Sequence, residues 1–419
     1  MGLLKEHGYE FTDDENEADI AVVNTCGFIT SAKEESINTI LSLAKHKKDR
    51  LKLLVAAGCL AERYKDEILA EMPEIDAIVG TTAFDEICNV IDSALGGKCA
   101  GEFKDINRMC RPDAGRVITT GGYYSYMKIA EGCDKRCTYC SIPLFKGRYR
   151  SVPMEKLIEE ASYLAHNGVK ELILVAQETS VYGKDIYGEK RLPQLLHRLC
   201  EVDGIEWIRI LYCYPEEITD ELIDTIASEK KILHYIDMPI QHASDRILRL
   251  MGRRTTNADL RSIIRQLRDK IPDICIRTTL ISGFPTETAE DQAELLDFVD
   301  EMEFDRLGVF TYSPEENTPA AGFDGQVEED VKLDRMEEIM ELQREISLEK
   351  GERLVGRCME VIIEGKAVDE DVYVGRTYMD APGVDGYVFI DTDEELISGD
   401  FARVKITKAL EYDLIGELV

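Results

Sequence analysis

Three thiols stand within nine residues in Gly132-Cys133-Asp134-Lys135-Arg136-Cys137-Thr138-Tyr139-Cys140, directly behind the apolar run Tyr123 to Ala130. The chain holds 12 cysteines in 419 residues, and nothing at its start reads as a signal peptide, so metal or redox chemistry is expected rather than disulfides. An iron-sulfur cube is held by thiolates, and three of them spaced in this way hold three irons from one loop and leave the fourth iron open to a substrate. The competing reading is a structural zinc knot. That needs a fourth Cys or His nearby to close a tetrahedron, and of these only His166 follows in the next 50 residues or so. Cys88, Cys99, Cys110, Cys200, Cys213, Cys275 and Cys358 are scattered singly, as small buried apolar residues are.

Two further cysteines, Cys26 and Cys59, owe their interest to the elements before them. Met1 to His7 reads as the end of a helix closed by Gly8, followed by a short extended piece at Tyr9 to Phe11, so the sequence as given begins inside an element. A strand from Asp19 to Asn24 ends at Thr25-Cys26-Gly27, and a buried strand from Leu51 to Ala57 ends at Gly58-Cys59. Helices are expected over 31–45, 61–71 and 83–95, with a further strand over 75–80. Such alternation implies a parallel sheet covered by helices, with ligands at the strands' carboxyl ends. Cys26 and Cys59 both lie there, where a second cluster would sit.

Behind Cys140 the alternation continues. Strands are expected at 170–176, 207–212, 234–239, 274–281 and 306–312, with helices between them; counting 123–130, six strand-helix units make an open (β/α)6 barrel. Its chemistry belongs at the carboxyl ends, where Gln177, Glu178, Arg209, Tyr214, Gln241, His242, Arg277 and the Gly283-Phe284-Pro285 turn fall. Cationic and amide side chains there suit a carboxylate and a ribose. The run 313–319 reads as a proline-punctuated linker, and 328–351 as a charged connector helix. Five short alternating segments follow Arg353, the pattern of a small antiparallel β-barrel of the oligonucleotide-binding type. The expected class is therefore α/β with three parts, 1–115, 116–351 and 352–419.

Charge bears on partners. Lys and Arg number 50 against 82 Asp and Glu, a net of −32; residues 1–115 carry 13 basic and 22 acidic side chains, and residues 352–419 carry 7 and 16. A nucleic-acid polyanion meets repulsion here, whereas a basic protein surface meets attraction. No stretch reaches the apolar length of a membrane span, and a cytoplasmic protein is expected.

The cysteine triplet with Ser141-Ile142-Pro143, together with Asn24-Thr25-Cys26-Gly27-Phe28, Ala57-Gly58-Cys59 and the acidic terminal barrel, resembles the radical S-adenosylmethionine (AdoMet) methylthiotransferase family across essentially the whole chain. Met127 to Gly132, Ile236 to His242 and Arg376 to Pro382 resemble its branch that methylthiolates an aspartate of ribosomal protein S-twelve in the small subunit. The resemblance implies two 4Fe-4S clusters and AdoMet. One cluster rests on Cys133, Cys137 and Cys140 with Tyr139 beside the adenine, and an auxiliary one rests on Cys26 and Cys59; from their place on the barrel strands, Gln177, Arg209 and Arg277 are expected to bind the AdoMet. It further implies a terminal TRAM domain, an electron donor such as flavodoxin or ferredoxin, and no tRNA partner. In the implied mechanism one AdoMet methylates sulfur at the auxiliary cluster. A second is cleaved to a 5′-deoxyadenosyl radical that takes hydrogen from the aspartate β-carbon, since an unactivated C–H bond offers no proton worth abstracting. The family opens with a strand and a Leu-Gly-Cys-x-Lys-Asn turn that supplies a third auxiliary ligand, and the sequence as given has neither. Its expected behaviour is one stable cluster and one labile or absent one. Two other readings stay open: a tRNA adenosine methylthiotransferase, and a catalytically impaired variant that binds the ribosome.

Overall fold

The structure, a computed structural model, describes residues 1–98, 100–110, 115–367 and 372–419. Cys99 lies outside the described residues. The chain divides into two compact units, one of 1–117, 131–150 and 313–322, the other of 118–130, 151–312 and 323–419. The division differs from a simple succession of three parts, because the thiol loop 131–150 packs with the amino-terminal segment while the tail packs with the barrel.

The first unit is built on four parallel strands in chain order, β1 (Ile20–Thr25), β2 (Leu53–Gly58), β3 (Ala77–Val79) and β4 (Ala100–Glu102). Strand β2 is buried along its whole length, as its apolar run requires when helices cover both faces. Leu54 and Ala56 face a core with Ile40, Leu60 and Ile68, while Leu53, Val55 and Ala57 face another with Ile87, Val90 and Ile91. The helices are α1 (Gly2–Glu6), α2 (Thr30–Ala44), α3 (Cys59–Arg63), α4 (Lys65–Glu71) and α5 (Ile87–Leu95). The helix expected over 61–71 is two, broken at Tyr64 (φ −123°, ψ 37°), so the first begins at Cys59 itself. Gly8 takes φ +90°, as a helix-terminating glycine does, while Tyr9 to Phe11 form no strand. Strand β4 and a short helix α6 (Ile142–Lys146) escape periodicity, being three and five residues long.

The second unit contains six parallel strands, β5 (Tyr124–Lys128), β6 (Glu171–Val175), β7 (Trp207–Ile210), β8 (Ile232–Asp237), β9 (Cys275–Ser282) and β10 (Arg306–Thr311). They pair in chain order and leave β5 and β10 as edges, the open arrangement expected. Three of the barrel's helices start on threonine caps: Thr219 accepts from Leu222 N–H, and Thr256 and Thr288 form capping boxes with Asp259 and Asp291.

The tail strands β11 (Cys358–Lys366), β12 (Tyr373–Arg376), β13 (Val388–Asp391), β14 (Phe401–Ala409) and β15 (Leu414–Leu418) close a barrel. It is antiparallel except that β13 and β15 run parallel, Val388 opposite Leu414. A ring with an odd number of strands cannot alternate direction throughout, so one parallel pair is forced. The charged helix α7 (Glu329–Glu352) is more than a connector: Ile339 and Ile346 are buried, and Gln343 donates to Phe304 O at 2.9 Å.

The tail docks through residues 376–385 onto the barrel strands. Tyr235 Oη donates to Asp385 at 2.8 Å, Arg306 Nε to Asp380 at 3.0 Å and Tyr126 Oη to Pro382 O at 3.3 Å. Ile173, Tyr235 and Cys275 of the barrel share one core with Ile362, Met379 and Ala381 of the tail.

Candidate functional site

The first unit brings the two sets of cysteines onto one scaffold. Thr25 of β1 lies opposite Gly58 of β2, so Cys26 and Cys59 leave the sheet at the same level, at its carboxyl edge. Gly27 rests on the Cys59 peptide: a Cβ there would stand 2.9 Å from Cys59 C and 3.0 Å from its O, so no larger residue fits between the two turns without moving them. Gly58 takes φ +107°, a conformation glycine alone adopts cheaply. Thr25 Oγ1 donates to Ala57 O at 2.8 Å, and Ser36 Oγ accepts from Cys26 N–H at 2.9 Å, fixing the first turn on β2 and on α2. Cys26 is exposed and Cys59 half-buried.

In the thiol loop, Gly132 at φ +79° lies against Arg148 O, where any Cβ would collide, and Cys133 N–H donates to Gly147 O at 3.2 Å. Asp134 accepts from Tyr149 N–H at 3.2 Å. Cys133 and Cys137 are buried and Cys140 partly so. Burial, then the neighbouring Cys137 and Cys133, push the Cys140 thiol up to about 12, despite a backbone hydrogen bond from Ile142. The three sulfurs thus sense one another in a dry setting where a bare thiolate is disfavoured, and a bound cationic cluster is what would make thiolates stable there. Among the described residues no three His, Cys, Asp or Glu side chains gather round a single ion position. Lys146, on the helix after the loop, pairs with Glu131 at 2.7 Å; burial works against its charge, but Glu131 and then Cys59 hold its pKa above the ordinary value. Cys59 thus helps to hold the Lys146 charge, and the thiol donors of both cysteine groups fit iron-sulfur ligation.

Contacts within the unit hold the loop to the sheet. Thr81 Oγ1 donates to Phe145 O at 2.7 Å, Ser141 Oγ to Phe28 O at 3.2 Å, and Arg63 Nη1 to Gly27 O at 2.8 Å. Tyr139 is half-buried next to Cys140.

In the second unit Gln177 is half-buried just past the end of β6, and Glu178 is buried, accepting from Ser180 N–H at 3.1 Å and Tyr214 N–H at 3.4 Å. Gln241 takes φ +72°, its N–H donating to Thr279 O and its carbonyl accepting from Ile281 N–H, both at 2.9 Å. Gly283 takes φ +70° against Lys332, and Phe284 N–H donates to Glu287 at 3.0 Å. His242 is fully buried; its Nδ1 accepts from Ser244 N–H at 2.9 Å, and burial pushes its pKa down to about 4. With Nδ1 accepting, the neutral ring carries its proton on Nε2, 3.7 Å from Glu287, and burial disfavours a second proton.

Two expected AdoMet-binding arginines are engaged elsewhere. Arg209 is fully buried, its Nε on Glu171 at 2.8 Å and its Nη1 on Tyr378 O at 2.7 Å, and Glu171 also binds Arg376 of the tail at 2.7 Å. Arg277 bridges Asp237 at 2.9 Å and Asp385 of the tail at 3.2 Å. Burial works against its charge, yet the two carboxylates raise its pKa above the ordinary guanidinium range. Both lie on barrel strands, Arg277 near the start of β9 rather than at its carboxyl end, and both bond residues of the tail. A contributor that sequence reasoning missed is Arg63, whose only signal was its place four residues after Cys59.

Comparison with known proteins follows the same three regions. The model of the radical SAM superfamily matches residues 127–299, that of the TRAM domain residues 355–419, and that of the uncharacterized protein family UPF0004 residues 1–80. Among solved structures, the radical S-adenosylmethionine methyltransferase TsrM from Kitasatospora setae superposes with a TM-score of 0.54 at 15% identity, covering 88% of this chain and 75% of that one, a likeness of fold. The ribosomal protein uS12 methylthiotransferase RimO of Lachnoclostridium phytofermentans is 60% identical over 99% of this chain and 95% of its own length. The RimO of Acetivibrio thermocellus is 50% identical over 100% of this chain and 94% of its own. With identity of this order along nearly all of both chains, the protein belongs to the RimO family of ribosomal protein uS12 methylthiotransferases.

Proposed function

We propose that the chain adds a methylthio group to the β-carbon of an aspartate of ribosomal protein uS12, as a cytoplasmic AdoMet-dependent enzyme with an auxiliary iron-sulfur centre. The observation that carries this reading is the register of β1 and β2, which sets Cys26 and Cys59 side by side on the unit that also holds Cys133, Cys137 and Cys140. Cys133, Cys137 and Cys140 hold a 4Fe-4S cluster with one iron open to AdoMet, and Cys26 and Cys59 contribute ligands to the auxiliary cluster. Together these groups supply reductive cleavage of AdoMet and a store of transferable sulfur. The protein's own residues bind, orient and shield. The glycines at 27, 58 and 132 let the turns that carry Cys26, Cys59 and Cys133 pack closely on neighbouring backbone, and burial of Cys133 and Cys137 keeps water from their sulfurs. Tyr139 offers a ring to the adenine and Gln177 an amide to the sugar or carboxylate, while Lys146 supplies a positive charge that Cys59 favours. An external one-electron donor such as flavodoxin or ferredoxin supplies the reductant.

The deciding experiment incubates anaerobically reconstituted protein with AdoMet, sulfide, a reductant, small ribosomal subunits and tRNA in one vessel, followed by mass spectrometry. A methylthio-sized gain on one uS12 aspartate supports the proposal. The same gain on a tRNA adenosine overturns the substrate, and 5′-deoxyadenosine with no gain on either polymer overturns the transfer step.

A further inference from the structure

The side chain of Arg63 occupies a position that the reaction as proposed does not use. It is 5% exposed and sits where three segments of the first unit meet. Its Nη1 donates to Gly27 O at 2.8 Å, in the turn after Cys26, and contacts Ser141 Oγ, next to Cys140, at 3.5 Å. Its own helix begins at Cys59. Ser141 Oγ in turn donates to Phe28 O at 3.2 Å, so the residue after Cys140 is tied twice to the turn after Cys26. The guanidinium is anchored from the far side: Nη1 reaches Glu315 at 2.8 Å and Nη2 reaches Glu316 O at 3.0 Å. Glu315, 2% exposed, also accepts from Lys33 at 2.9 Å and Ser313 at 2.9 Å. A buried arginine that spans one carboxylate and two carbonyls is a rigid fork, because its planar donors fix direction as well as distance.

We propose that Arg63, braced by Glu315, is a positioning residue for sulfur transfer: it sets the separation between the auxiliary cluster at Cys26 and Cys59 and the AdoMet-binding cluster at Cys133, Cys137 and Cys140. This rests on the two-cluster reading above. Cleavage of AdoMet needs only the second cluster and its reductant. Delivery of sulfur to a substrate carbon radical needs both sites at a fixed spacing, and a displacement of about 1 Å can cost on the order of a hundredfold.

The test compares Arg63→Met, Arg63→Lys and Glu315→Gln with the parent protein after anaerobic reconstitution. Iron and sulfide content, 5′-deoxyadenosine formed, methylthiolated product formed, and the magnetic interaction between the two reduced clusters in electron paramagnetic resonance are read on each. Arg63→Met is expected to keep parental iron and 5′-deoxyadenosine, to lose on the order of tenfold to a hundredfold in product per 5′-deoxyadenosine, and to show an altered intercluster interaction. Arg63→Lys should recover part of both, since an ammonium reaches one or two of the acceptors but not all. Parental product yield and parental magnetic interaction in Arg63→Met would overturn the proposal. Should that variant fail to fold, Glu315→Gln, which keeps Arg63 and weakens its brace, decides by the same two readouts. Iron for fewer than two clusters in the parent protein, the outcome a labile or absent auxiliary cluster gives, would overturn the two-cluster reading and this proposal with it, and the iron count alone tells that failure apart from the failure of Arg63.

Discussion

At Gly132 a single missing Cβ decides whether the thiol loop closes. The residue takes φ +79° and lies against Arg148 O, whereas Gly97, at φ +80°, has nothing within 4 Å of where a Cβ would stand. Alanine at 97 should therefore cost only the left-handed backbone penalty, about 1–2 kcal/mol. Alanine at 132 adds a collision that only movement of 147–148 relieves, and that movement displaces Cys133, whose N–H bonds Gly147 O. The expected outcome is reconstituted Gly97→Ala with parental iron and Gly132→Ala with about half or less, read by iron assay alongside thermal unfolding; equal iron in both would refute this account of the loop. A second expectation concerns pH. Folded His242 takes up a proton only near about 4, while the unfolded chain does so below about 6.5. Between those values the unfolded state holds more protons, so stability falls as pH drops through the window, by up to roughly 3 kcal/mol. Urea unfolding at pH 7 and pH 5 should show this slope in the parent and a flatter one in His242→Gln.

At the scale of elements, the tail is locked to the barrel by buried charge. Burial alone would raise the Glu171 pKa, but Arg209 and Arg376 lower it below the ordinary value, and all three side chains are fully buried. Removing the carboxylate charge takes the buried carboxylate from Arg209 and leaves Arg376 with that of Glu364 alone, so Glu171→Gln should destabilise by about 3–5 kcal/mol, the cost typical of breaking a buried pair from one side. Denaturant unfolding checks this, and a loss below about 1 kcal/mol would show the network to be dispensable. The strand and helix alternation was legible in sequence because apolar periodicity is a local signal. The function of Arg209 and Arg277 was not, because it is set by partners far along the chain: Tyr378 is 169 residues from Arg209, and Arg376 is 205 from Glu171. The cysteines show the same division. Spacing alone marks Cys133, Cys137 and Cys140, whereas Cys26 and Cys59 become a pair only through the register of two strands, and Arg63 only through the return of 313–316 to the same unit.

Over the whole molecule, the charge of −32 works against polyanions and for a basic protein. The tail is acidic in proportion, with 16 acidic side chains against 7 basic in residues 352–419, and its loop at Asp393-Glu394-Glu395 is exposed. Ribosomal RNA bears the opposite preference, so approach to a small subunit must be guided by patches of basic protein, and long-range attraction of that kind acts chiefly on association rate. Two results follow for methylthiolation at substrate concentrations below KM. Its rate should fall severalfold as salt rises from about 0.05 to about 0.3 M, because the screening length shortens to a few ångströms. Reversal of the loop charges, Asp393→Lys with Glu394→Lys and Glu395→Lys, should lower kcat/KM for the small subunit several-fold and flatten the salt response, while leaving 5′-deoxyadenosine formation and thermal stability nearly unchanged, since these side chains are solvated and outside the barrel core. An unchanged kcat/KM with an unchanged salt slope would mean that this acidic loop does not face the substrate. An increase would mean that the loop meets RNA, and that the acidic surface disfavours approach instead of guiding it.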